Sequence, residues 1–486
     1  MSIMSFKYLT LLLATTSMNS FADVDLPSGD DWLNHVTNGL APYWMMESAH
    51  GQPAGNFPTF RCDNGVILDP QKPCEELNKG WISPHFDREY TRMKSRQTYA
   101  YGVLFHLTGD KQALELAKKG AYYLIDHLQD EKNGGFVSFT RSGKPGMEWQ
   151  QRTSQDQAYA LVGLAMYYYL TQDPKVEQAL IDQQAFIFKQ YRRSDDRGLA
   201  WVLKDGDGDG ESEKQQELVA QLDQINGYLL LTAPLLPEPA QAKWKQDLEW
   251  LTQVMLDNYH SDKEQRFYGA IHHKAVMMPD AKHNDFGHTI KAYWMTYLTG
   301  QLLENSNWTE FGFKGMKHTL KQAQYQQNFE QVKALFSPEW QSKWTQESIP
   351  AWQSRPHKHY SSSWEWAELD QAAMTVSLVD GSMKETLQYT LPTFMDVWVD
   401  HQYGGVGLNP KSTKAFHWGN GYHQFEHALV GYLYAQQMAK QPAKLYYARP
   451  AESKMPLNPY YFNADIKALS SQSDGVTTAT FTNIRP

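Results

Sequence analysis

Through most of the chain apolar positions recur three and four residues apart, the spacing of one helix face. Arg92 to Leu107 carries Tyr99, Val103, Leu104 and Leu107 and stops at Thr108-Gly109-Asp110. Gln112 to Leu128 sets Leu114, Ala117, Ala121, Leu124 and Leu128 on one stripe and stops before Asn133-Gly134-Gly135-Phe136. Gln155 to Leu170 and Val176 to Tyr191 follow, separated by Thr171-Gln172-Asp173-Pro174. The repeating unit is a helix, a polar turn, a helix running back and a glycine-containing aromatic turn. Phe267-Tyr268-Gly269 and Gly404-Gly405-Val406-Gly407 repeat that last turn. Helix pairs recurring every ~50–60 residues form an array of hairpins. With roughly eleven or twelve helices its compact form is a closed double ring, an all-α α/α barrel. Past Pro442 the pattern stops. Pro450, Pro456, Pro459 and a Ser/Thr-rich run to Pro486 read as an irregular tail with a short strand at Thr477 to Phe481.

The beginning of the chain reads as an export leader. Lys7 gives a positive start, Tyr8 to Ala14 is mostly apolar, and Ser20-Phe21-Ala22 fits a small-x-small cleavage site. Three segments result: a leader over 1–22, a helical domain over 23–441 and a tail over 442–486. The apolar run falls short of the ~20 residues of a spanning helix, so the expected location is periplasmic or secreted, without membrane insertion. Cys62 and Cys74 are the only cysteines. An oxidising compartment favours a bond between them over two free thiols. Net charge is −9 with acids and bases interspersed, which argues against nucleic acid and anionic membrane as partners.

The candidate chemistry lies in two histidine clusters. Lys414 to His427 reads K-A-F-H-W-G-N-G-Y-H-Q-F-E-H, and His283 to His288 reads H-N-D-F-G-H. Histidine exchanges protons near neutrality. Aromatics make up 13% of the chain, and flat rings suit the C–H faces of a sugar. Asp205, Asp207 and Asp209 with Gly210 match the first half of a calcium loop, but position twelve is Gln216. A structural Ca2+ and a solvated acidic turn both remain open there. His272-His273 and His357-x-His359 lack a carboxylate or cysteine partner at metal-ligand spacing, so no catalytic cofactor is expected.

Four motifs resemble the N-acylglucosamine 2-epimerase superfamily, which includes cellobiose 2-epimerases and mannose isomerases. Arg92 to Asp110 is similar to its first inner helix, with Arg96 at the sugar-contacting arginine. Gly287-His288 is similar to its Gly-His before an inner helix. Trp364 to Glu368 resembles its Trp-Trp-x-x-x-Glu element, with Ser363 in place of one tryptophan. Trp418 to His423 resembles its W-K-G-P-Y-H element. The likeness spans roughly Trp81 to Ala435. It implies an (α/α)6 barrel, catalytic His288 and His423, and substrate contacts at Arg96, Asn226, Tyr228, Trp364, Glu368, Trp418 and Glu426. Three further positions depart from the pattern. Lys291 replaces a glutamate, Glu426 replaces an arginine, and Tyr228 replaces the histidine of an Asn-x-His element.

The implied reaction is epimerisation or aldose–ketose isomerisation of a reducing mono- or oligosaccharide. One histidine removes the C2 proton of the open-chain aldehyde, a cation steadies the enediolate, and a second acid returns the proton. Other readings of the residues stand beside it. Arg96 pairs with Glu89 or Asp156 if it is structural, and Trp364 and Trp366 stack on sugar or pack between helices. His283, His401, His417 and His427 are expected to be structural. A glycoside hydrolase or polysaccharide lyase on the same scaffold would use Asp87, Asp156, Asp223 and Asp285, or Tyr228 with a histidine. A glycan-binding envelope protein without catalysis is the third reading. A monomer and a homodimer are both compatible with the sequence.

Overall fold

The computed structural model describes residues 26–206, 211–410, 412–450, 453, 455–471, 473 and 475–486. The leader and Asp207 and Asp209 of the acidic loop lie outside the described residues. Six helices form an inner layer: Thr91–Thr108, Ser154–Thr171, Leu218–Gln224 with its continuation Leu230–Thr232, Phe286–Leu302, Ser363–Asp380 and Tyr422–Met438. They are buried on nearly every face, as helices enclosed on all sides must be. Their outer partners are amphipathic. Lys111–Tyr123 buries Ala113, Leu116, Ala117, Gly120 and Ala121 and leaves its lysines in water. Pro174–Tyr191, Ala240–Asn258, Ser306–Ala323 and Lys384–Thr393 serve the next four hairpins. The N-terminal helix Gly29–Asn34 packs on the sixth inner helix.

Each inner helix contacts the next, and the sixth contacts the first, so the contacts run in a circuit. Tyr99 on the first meets Tyr422 on the sixth edge-on at 4.6 Å. The aromatic turns close the hairpins. At Gly134 and Gly135 the backbone is left-handed, and a Cβ at either would lie within 3 Å of the Phe186 ring.

The tail is more ordered than its prolines suggest. Thr477–Arg485 is the centre of a three-stranded antiparallel sheet, flanked by Ala443–Tyr447 and Asn463–Ser471. The irregular tail expected there is corrected to a sheet. The short strand expected at Thr477 to Phe481 is its central strand, with Thr478, Thr480 and Thr482 alternating with buried Ala479 and Phe481. The sheet covers the end of the ring where the inner helices finish. His106 Nδ1 lies 2.9 Å from the Tyr446 carbonyl, and the Tyr169 hydroxyl 3.1 Å from that of Tyr447.

Candidate active site

All six inner helices start at the other end of the ring, and residues from their first turns surround a cavity of about 520 Å³. His288 and His423 both line it, as do Arg96, Trp364 and Trp418. His288 stands in the first turn of its helix, which Asp285 caps. The Asp285 Oδ1 accepts the His288 backbone N–H at 2.8 Å, and both carboxylate oxygens lie 2.9 Å from the imidazole Nδ1. This fixes the ring and leaves Nε2 for other contacts. Burial alone would lower the His288 pKa, but the Asp285 carboxylate outweighs it and raises the pKa. Burial would likewise raise Asp285, yet the imidazolium draws it down to about 2.

His423 is displaced the other way. Burial lowers its pKa to about 4, and the opposing pull of Glu368 does not compensate. Its Nδ1 lies 3.1 Å from Glu368 Oε1, off the hydrogen-bond direction. The Trp364 indole lies between the two imidazoles, 4.9 Å from the His288 ring and 5.9 Å from that of His423. Arg96 lies over the Tyr159 ring at 4.0 Å and donates to the Trp418 carbonyl. The structural pairings open to Arg96 are taken by its neighbours: Arg92 binds Asp156, and Lys94 binds Glu89.

Beneath the histidines lies a buried ionic network. Lys291 Nζ is 3.5 Å from Glu368 Oε1 and 3.7 Å from Asp223 Oδ1. With its amide oriented to satisfy its neighbours, Asn226 accepts from Lys291 Nζ and donates to Asp223 Oδ1, each at 3.1 Å. Burial opposes the charge on Lys291, but Glu368 prevails and holds the ammonium protonated. Lys291 in turn overcomes burial at Glu368 and lowers its pKa. For Glu426, burial and then the Glu368 charge push the pKa to about 8. Its Oε1 accepts the hydroxyl of Tyr460, which arrives from the tail. Ligand atoms of Glu368, His423 and Glu426 lie within 4.8 Å of one another, a spacing that could hold a metal. The Lys291 ammonium already neutralises Glu368, so the set reads as an ion network.

A model of the N-acylglucosamine 2-epimerase family matches residues 78–405. The chain belongs to the N-acylglucosamine 2-epimerase family. No curated protein matches the chain. Among solved structures, cellobiose 2-epimerase from Spirochaeta thermophila superposes with a TM-score of 0.63 at 15% identity, over 85% of this chain and 97% of that one. A D-mannose isomerase gives 0.59 at 11% identity, over 84% and 97%. A family 76 glycoside hydrolase from a bovine Bacteroides thetaiotaomicron strain gives 0.53 at 9% identity, over 84% and 77%. At these identities the likeness concerns the fold. The family match takes in Arg96, Asn226, His288, Trp364 and Glu368 and ends before Trp418, His423 and Glu426.

Two of the three departures from the family pattern fall in one place, since Lys291 and Glu426 belong to the same buried network. The third does not reach the cavity. Tyr228 packs against Trp244 of the outer layer at 5.3 Å and donates to Gln224 Oε1. The substrate contact expected of Tyr228 is therefore corrected to a packing role, because residues two apart on a helix do not share a face. Asn226, Glu368 and Glu426 lie beneath the cavity and not on its wall. Of the four carboxylates weighed for hydrolysis, Asp223 and Asp285 line the cavity. Asp156 is bound by Arg92, and Asp87 is exposed and paired with Arg141. His283, expected to be structural, lines the cavity with its ring 4.6 Å from His288. His427 is buried against Asp370 and Trp32. Asp205, the described member of the acidic loop, is buried, and its amide donates to Glu213.

Cys62 and Cys74 are bonded to each other. Their loop supports the cavity rim: Lys414 donates from its backbone to Asp63 Oδ1 and from Nζ to the Asp63 carbonyl. Asp285, from sequence a hydrolytic candidate, and Lys291, from sequence a departure, are both contributors to the site. The spacing Asp285-x-x-His288 at a helix start was a signal for the first, since a capping aspartate can also reach the imidazole three residues on.

Proposed function

We propose that the protein is a sugar 2-epimerase or aldose–ketose isomerase that moves a proton between C2 and two histidines. The observation that carries this reading is the opposite displacement of two imidazoles on one cavity. At pH 7 His423 is neutral and able to accept a proton, whereas the Asp285 carboxylate favours the protonated form of His288. A base and an acid in complementary states are what deprotonation and reprotonation at one carbon require. Arg96, on the same wall as Tyr159 and without a carboxylate partner among the described residues, is suited to steady the enediolate oxygens. Return of the proton to C2 gives the epimer, and its delivery to C1 gives the ketose.

The two cavity carboxylates give less support to hydrolysis. Gln155 and Lys291 engage Asp223, and His288 engages Asp285. The Cys62–Cys74 bond supports export to an oxidising compartment. The test is turnover of a panel of reducing sugars in deuterated water. Deuterium should enter C2, and His288→Ala and His423→Ala should each lose about 10²–10⁴-fold in rate. Wild-type turnover in both variants would overturn the proposal.

A further inference from the structure

The cavity carries more positive charge than enediolate stabilisation requires, in a chain whose net charge is −9. Three of its cations, Arg92, Lys291 and Lys414, are spoken for by Asp156, Glu368 and Asp400. The other three, Arg96, Lys282 and Arg355, have no carboxylate within ion-pair distance among the described residues. Arg355 donates Nη1 and Nη2 to the carbonyls of Asp280 and Ala281, and its buried Nε has no partner. These bonds aim the side chain without neutralising it. Behind it Arg266, with no carboxylate within ion-pair distance among the described residues but within the field of Asp285, donates to the Asn284 carbonyl. The segment from 280 to 288 is thus surrounded by guanidinium groups, and Asp285, its buried acid, is taken by His288.

A partly buried guanidinium without a carboxylate, as at Arg355, is costly unless a ligand of opposite sign completes it. Arg96 serves the reacting carbons in the proposed reaction, which leaves the charges of Arg355 and Lys282 unanswered by a carboxylate. We infer that the substrate is a sugar bearing a fixed anionic substituent, a carboxylate, sulfate or phosphate, held by Arg355 and Lys282 on the His288 wall. This rests on the epimerase or isomerase reading. A guanidinium offers paired N–H donors that match two oxygens of any of these groups, and the exposed Lys282 ammonium adds a point charge at the mouth.

The test uses the full-length protein with glucose, glucuronate, glucose 6-sulfate and glucose 6-phosphate. Binding is followed by calorimetry at two salt concentrations and chemistry by deuterium uptake at C2. At least one charged sugar should bind about 10- to 100-fold more tightly than glucose, the preference should shrink with salt, and the tightest of the three names the group. Arg355→Gln should remove most of that preference. Lys282→Gln, at an exposed position where folding is not at stake, should remove part of it. Equal or better binding of glucose than of every charged sugar would overturn the inference, as would a preference untouched by both substitutions. A charged sugar that binds selectively without taking up deuterium would support the inference and refute the isomerase reading. Deuterium uptake into glucose with no preference for charge would do the reverse.

Discussion

Asp285→Asn separates charge from shape at the acid of the proposed pair. Asparagine caps a helix about as well as aspartate, so the start of Phe286–Leu302 should survive. What is lost is a charge-assisted contact to His288, a type of bond worth about 1.5–3 kcal/mol. A second route gives the same size. The Asp285 carboxyl falls from its ordinary 3.8 to about 2, and at 1.36 kcal/mol per unit that is about 2.4 kcal/mol. These are two views of one interaction and are counted once. The sign follows from linkage. The raised His288 pKa contributes stability that is complete below 6.5 and lost as pH rises through the folded value. The depressed Asp285 pKa contributes stability present above 3.8 and lost as pH falls through about 2. The pair therefore stabilises most between those limits. Urea unfolding at pH 5.5 should find the variant about 2 kcal/mol weaker, and at pH 9 the deficit should fall below about 1 kcal/mol. At pH 7 turnover should drop about 100-fold or more, because His288 loses both its orientation and its proton. An equal deficit at both pH values would refute this reasoning, as would an unchanged His288 titration by NMR.

Two further outcomes follow from the surroundings of the site. Tyr460→Phe removes the hydroxyl that Glu426 accepts, a bond that favours the ionised carboxylate. Because burial raises Glu426 to about 8, its charge already costs stability as pH rises from 4.5 through that value. The loss should therefore be about 1–2 kcal/mol larger at pH 9 than at pH 6 in urea unfolding; equal losses would count against the contact. Replacing Cys62 and Cys74 with serine should destabilise the chain by roughly 2–3 kcal/mol and weaken sugar binding at the rim, measured by thermal unfolding and calorimetry. A variant of unchanged stability would show that the loop does not need the bond.

The outer helices were legible because one buried face imposes period 3.6, and the inner helices, buried on nearly every face, because of their length and the polar or glycine breaks that end them. The expected starts at Arg92, Gln155 and Val176 fall within two residues of the observed Thr91, Ser154 and Pro174. In the tail the strand expected at Thr477 to Phe481 is present and runs on to Arg485, whereas its partners Ala443–Tyr447 and Asn463–Ser471 were not legible among the prolines and polar residues. Short motifs brought Arg96, His288, Trp364, Trp418 and His423 to one cavity, since each sits at or near the start of an inner helix. The ion pairs were not legible. Arg92 and Asp156 are 64 residues apart, and only the packing of neighbouring inner helices joins them.

Lys291 and Glu426 look from sequence like two unrelated departures, but electrostatics couples them. Glu368 and Asp223 are almost wholly buried and need a cation. A glutamate at 291 would make a third acid there, tolerable only with a cation arriving from another helix. The arginine that the family pattern has at 426 answers that need. In this chain the cation stands on the fourth inner helix instead, within reach of Glu368, Asp223 and Asn226 at once. The acid at 426 is then left buried beside Glu368, and burial first and the Glu368 charge second raise its pKa against the weaker pull of Lys291. A donor must reach it from the closed end of the ring, and Tyr460 does so, itself bonded by Tyr99. The tail thus enters the barrel where the exchanged charge leaves an acid to be satisfied, and the floor under His423 depends on both.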